Sequence, residues 1–92
     1  MNIKVRIHKL LEETALEIYG YIKEHEDSCV ERWVPAATIK NDLDLKLSSY
    51  PQENKIDNKT GWLFATFARM LQDKDLVEFR NDGSRSFYRT RR

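Results

Sequence analysis

Residues 58–90 read NKTGWLFATFARMLQDKDLVEFRNDGSRSFYRT, and the change of period inside this stretch decides the fold. Early in the stretch Phe64, Phe67, Ala68 and Leu71 recur at relative positions 0, 3, 4 and 7, the stripe of a helix that buries one face. Asp57 or Asn58 can cap that helix by offering a side-chain oxygen to its unpaired amides. Toward its end a pair of β-prone runs, 76–80 and 85–90, flanks Asn81, Asp82, Gly83 and Ser84. An Asp-Gly pair between such runs signals a hairpin, because both positions tolerate positive φ. Helix and hairpin meet at Asp75.

Two further helices precede this unit. Leu11, Ala15, Ile18, Tyr19 and Ile22 recur at helical spacing while Glu12, Glu13, Glu17, Lys23 and Glu24 take the other side, which predicts a helix over about residues 9–26. Gly20 weakens it by roughly 1 kcal/mol and marks a place where something could pack closely. Before it, Ile3, Val5 and Ile7 alternate like a strand, yet Ile3, Ile7 and Leu10 also extend the helical stripe, so residues 1–8 are an arm or a helical extension. In ERWVPAATIKNDLDL, Pro35 suits a first helical turn, and Ala36, Ile39 and Leu43 predict a short helix over about 35–43. Trp33 and Val34 before it read as a short strand or core plug, with Trp33 packed inside. The connection over 44–57 has irregular apolar residues, though Ser49 and Gln52 have the spacing of a capping box.

With three helices and a closing hairpin in this order, residues 9–90 resemble the winged helix-turn-helix superfamily. The carriers are RWVPAATIKNDL, similar to its second helix and the short strand before it, FARMLQDKDLVEFR, similar to its recognition helix running into the wing, and RNDGSRSFYRT, similar to the wing itself. The fold expected is mainly α with a small β-hairpin (α+β): a winged helix of three helices plus a C-terminal wing, one domain over 1–92 with 91–92 as a tail. Roughly fourteen residues separate the second and third helices, where a compact helix-turn-helix has about three or four.

Composition narrows the function. Ninety-two residues with 40% apolar content support one modest core and leave little room for a deep cleft. No run approaches the roughly 20 apolar residues of a membrane span, and MNIKVRIHK does not lead into a signal-peptide core. The single Cys29 cannot form an internal disulfide, and a cytoplasmic chain is expected. Catalytic signatures, phosphate-binding glycine loops and metal motifs are lacking, so neither an enzyme nor a cofactor, metal or small-molecule ligand is expected. His25 and Cys29 stand four residues apart, which is two ligands short of a zinc site. Net charge is +1, but residues 1–58 hold eight Lys/Arg against eleven Asp/Glu and residues 59–92 hold eight against four, about −3 and +4. A positive end on a nearly neutral molecule suits an anionic partner.

If the apolar stripe of the third helix faces the core, Lys59, Trp62, Thr66, Arg69 and Asp73 face outward. Lys59 and Arg69 can neutralise phosphates, Arg69 can also bridge a guanine edge, and Thr66 can touch a base in the major groove. Thr60 and Gly61 fall in the first turn, where free amides allow close approach of a phosphate. Arg80 and Arg85 flank the hairpin tip and can lie along the backbone or in the minor groove. Of Phe87 and Tyr88, one packs under the hairpin and one stays near the surface. The RTRR tail, residues 89–92, adds nonspecific phosphate contacts or frays. The expectation is a transcriptional regulator binding double-stranded DNA through helix 58–74 and hairpin 76–90, with homodimerisation through the N-terminal helix. The rival is a winged-helix module for protein–protein contact through Trp62 and the long connection. A third option is single-strand binding by stacking on Trp62 and Tyr88.

Overall fold

Residues 2–45 and 62–92 are described in the structure, a computed structural model. The first helix, α1, spans Ile3–His25, so the N-terminal arm is a helical extension with no break before the predicted helix. Asn2 explains the early start: its side-chain oxygen accepts from the Lys4 amide at 2.7 Å, satisfying one of the free donors of the first turn. Core contacts belong to the second half, where Ala15, Ile18 and Ile22 are buried, whereas every residue from 2 to 14 is exposed. Leu11, expected in the buried stripe, is exposed, and Tyr19 is half-buried. At Gly20 a methyl group would meet nothing within 4 Å, so the close packing suggested for it does not occur.

The chain then turns tightly through Glu26–Ser28 and Val30–Arg32. Strand β1, Val34–Pro35, leads directly into α2, Ala36–Asp42. Pro35 caps α2 rather than joining it, with φ −64° and ψ 135°, so its missing amide leaves no helical bond unmade. Ile39 is fully buried in the core cluster, and the Tyr21 hydroxyl donates to Asp42 at 2.5 Å, tying α1 to α2. Burial, and then that bond to Asp42, push the Tyr21 phenol up to about 12.

The third helix, α3, spans Trp62–Asp73 among the described residues, with Phe64, Phe67, Ala68 and Leu71 buried as their spacing requires. It ends in the two bonds of a Schellman cap, Leu76 N–H to Leu71 O at 3.0 Å and Asp75 N–H to Gln72 O at 2.9 Å. Asp75 carries the left-handed conformation the cap demands, φ +64°. The capping expected of Asp57 or Asn58 and the turn at Ser49–Gln52 lie outside the described residues.

Strands β2, Val77–Asp82, and β3, Arg85–Thr90, form the hairpin, and β1 adds to its far side to give an antiparallel sheet in the order β1-β3-β2. Asp82 pairs with Arg85, so the two-residue turn is Gly83–Ser84, one step beyond the Asp82–Gly83 pair read from sequence. Positive φ is needed only at Gly83, +71°, the pattern of a turn with glycine first. Register fixes the two faces: Val77, Phe79, Tyr88 and Thr90 share the inner one, with Tyr88 edge-on to Phe64 at 5.4 Å, and Glu78, Arg80, Phe87 and Arg89 share the outer one. The fold is thus α+β and mainly helical. None of the described helices is long and apolar enough to cross a membrane.

Candidate nucleic-acid interface

On α3 the core stripe leaves Thr66, Arg69 and Asp73 exposed on the opposite side. Arg69 and Asp73 approach to 3.8 Å with side chains 77% and 73% exposed. An exposed pair one turn apart is worth only about 0.3–0.5 kcal/mol, so Arg69 is readily redirected to another anion. Trp62 is the first described residue of the helix expected over 58–74. Lys59 and Thr60 lie outside the described residues.

The hairpin divides its arginines. At the tip, Arg80 reaches Asp82 at 3.8 Å, half-exposed, and Arg85 stands exposed opposite Asp82 across the turn, with no closer ion pair among the described residues. By register both occupy the outer face, opposite the one that packs on α3. They therefore form a group separate from Arg69. At the base the situation reverses. Arg89 bonds Glu78 at 2.6 Å, donates to the Glu31 carbonyl at 3.0 Å and lies over the Trp33 ring at 4.0 Å. Arg91 reaches Asp75 at 3.3 Å and Glu78 at 3.6 Å, and Arg92 reaches Glu26 at 2.9 Å and Asp27 at 3.4 Å. Lys74 is bound to Glu12 at 2.6 Å. The tail neither frays nor stands free for phosphates; it is pinned to the body, and Lys74, Arg89, Arg91 and Arg92 are all occupied within the chain.

The anchor of this base is Glu26, which no feature of the sequence singles out. Its side chain is fully buried, yet it accepts from the Thr90 amide at 2.8 Å, the Thr90 hydroxyl at 2.6 Å, Arg32 at 3.2 Å and Arg92 at 2.9 Å. Burial alone raises its pKa, but the bonds from Thr90 and Arg92 and the charge of Arg32 outweigh it and hold the carboxyl below its ordinary value. The same cluster steadies a strained turn. Glu31 and Arg32 both have positive φ, 52° and 66°, a conformation costing roughly 1–2 kcal/mol per residue without glycine. Opposing that cost, Arg32 bonds Glu26 and the Thr90 carbonyl, each at 3.2 Å, while the Glu31 carbonyl accepts from Arg89. Glu26 contacts partners up to 66 residues away in sequence, so no local signal marks it.

Two aromatic expectations change. Trp33 is half-buried on the outer sheet side beneath Arg89, not inside the core, because the residue preceding Val34 faces away from the inner layer. Tyr88 is buried against Phe64 and Phe79, so it is not a stacking platform for single strands. Phe87, its neighbour, is the one left near the surface. His25 stacks on Tyr21 at 4.1 Å, and the Cys29 thiol donates to the His25 carbonyl at 3.6 Å, contacts that close the end of α1.

No protein-family model, curated protein or solved structure matches this chain.

Proposed function

We propose that this chain binds double-stranded DNA as a winged-helix regulator, with the exposed side of α3 in the major groove and the β2–β3 hairpin beside it as the wing. One observation carries the reading: α3 is buried along Phe64, Phe67, Ala68 and Leu71 and offers Thr66 and the loosely paired Arg69 on its opposite, solvent side. A helix with that division can enter a groove without unfolding anything. Trp62 and, by the sequence reading alone, Lys59 and Thr60 belong to the same proposed surface. Arg80 and Arg85, on the outer face of the hairpin tip, serve flanking phosphates rather than the bases that α3 reads. Random-sequence duplex titrated at low salt tests the reading, and Arg69→Glu should weaken binding without altering the fold. Absence of binding by the unaltered chain at low salt would overturn it.

A second reading has its own support. Val30 is 83% exposed and shares a surface recess with Trp33 and Phe87 and with the charged Glu31, Arg80 and Asp82, a mixture of apolar and two-signed charged groups that suits a protein partner better than a phosphate backbone. In that reading the chain is a protein–protein interaction module. Val30→Asp then abolishes assembly while leaving DNA affinity unchanged.

A further inference from the structure

We propose that α1 pairs antiparallel with α1 of a second copy of this chain, through Ile3, Ile7, Leu10 and Thr14. The first half of α1 buries no side chain and is tied to the body through the Glu12–Lys74 ion pair: Ile3, Ile7 and Leu10 are 69%, 50% and 57% exposed. A segment of that length is marginal alone in water even with a good cap. The four residues repeat at alternating spacings of four and three, the seam of a two-helix coiled coil, and at 100° per residue they fall within about 60° of arc. Glu12, which bonds Lys74 just past α3, falls about 170° around the helix from the seam, so the seam faces away from the end of α3.

Charge selects both the occupant and its direction. Lys4, Arg6 and Lys9 occupy the segment before Leu10 with no acidic residue among them, and Glu12, Glu13 and Glu17 follow Leu11 with no basic residue until Lys23. Cations in a first turn oppose the helix dipole, and α1 has no acidic residue there to offset them. Parallel pairing would lay two basic ends together. Antiparallel pairing lays each basic half along the acidic half of the other copy and opposes the dipoles. With Ile7 layered on Leu10 of the partner subunit and Ile3 on Thr14 of the partner subunit, Arg6 meets Glu13 of the partner subunit at the edge, twice by two-fold symmetry. Arg6 and Glu13 have no ion-pair partner within the chain among the described residues, which leaves both available.

Sedimentation velocity of the full chain over a wide concentration range tests this directly. The unaltered chain should show a concentration-dependent monomer–dimer equilibrium, and Ile7→Asp should weaken it by at least about 30-fold, the loss of a central apolar anchor. Residues 2–14 bury no side chain in the monomer, so circular dichroism of that variant should report a folded protein. Arg6→Glu and Glu13→Arg should each weaken the dimer about tenfold, and the double variant should recover it because the pair is reversed rather than removed. A chain that stays monomeric throughout, including one reserved for a different protein or a lipid surface, overturns the proposal. So does a dimer indifferent to Ile7→Asp, or a double variant that is not rescued. The result is independent of whether DNA binds.

Discussion

The base and the tip of the β2–β3 hairpin carry the same residue type and put it to opposite uses. At the base, Arg89, Arg91 and Arg92 are held by Glu78, Asp75, Glu26 and Asp27 at 2.6–3.6 Å. At the tip, Arg80 approaches Asp82 at 3.8 Å and lies 6.0 Å from the centre of the Trp33 ring, and Arg85 is exposed. An arginine fixed between carboxylates closes the fold, and one left in solvent remains available to a partner. Charge counted along the sequence merges the two. The excess of positive charge in the last third therefore overstates what an anion can meet: among the described residues only Arg69, Arg80 and Arg85 remain as candidates, and Lys59 joins them from the sequence reading alone.

The comparison breaks most easily at Glu26. Glu26→Ala should cost about 3 kcal/mol in urea unfolding, because it strands the Thr90 amide and removes the acceptor that holds Arg32 and Arg92. A loss below about 1 kcal/mol would show that the base does not depend on this carboxylate. Acid should weaken the same point. The folded pKa of Glu26 lies below the unfolded value, about 4.5, so its stabilisation is complete above that value and is lost as pH falls through the folded pKa. Glu78 follows the same direction, chiefly through its bond from Arg89. Unfolding midpoints measured from neutral to acid pH should fall in this window, and Glu26→Gln should flatten the fall.

At the exposed cations the effect moves from stability to affinity. Arg69→Glu should lower duplex affinity by about 1–3 kcal/mol, read by fluorescence anisotropy, while unfolding free energy changes by less than about 0.5 kcal/mol. Arg91→Ala should do the reverse, lowering stability and leaving affinity unchanged. The smallest effect belongs to neither region. Gly20→Ala should stabilise the protein by about 0.5–1 kcal/mol, since the methyl group meets open space and the helix gains propensity; destabilisation would reveal a contact at that surface.

Periodicity makes much of this fold readable. The stripe Phe64, Phe67, Ala68 and Leu71 identifies the buried side of α3, and Asp75 is identifiable as a left-handed turn residue from its chemistry. Both are local properties, written within one or two turns of chain. Hairpin register is not local in that sense: whether Phe87 or Tyr88 faces the core depends on the pairing of β3 with both β1 and β2. Trp33 is misplaced by a sequence reading for the same reason, since its surroundings come from Arg89, more than fifty residues on. The candidate site is legible in part. Thr66 and Arg69 follow from helical geometry, whereas the ion pairs that occupy Arg89, Arg91 and Arg92 arise only when distant carboxylates converge. Glu26 is invisible because a buried, fully bonded carboxylate and a solvated one look alike in a polar stretch of sequence.

The salt dependence of binding to random duplex DNA measures directly how many cations are available. If Lys59, Arg69, Arg80 and Arg85 each neutralise one phosphate, the slope of log K against log salt should be about −3.6 per bound chain. Lack of binding at low salt would contradict the account, and a slope near −7, requiring all eight C-terminal cations, would contradict the division between base and tip.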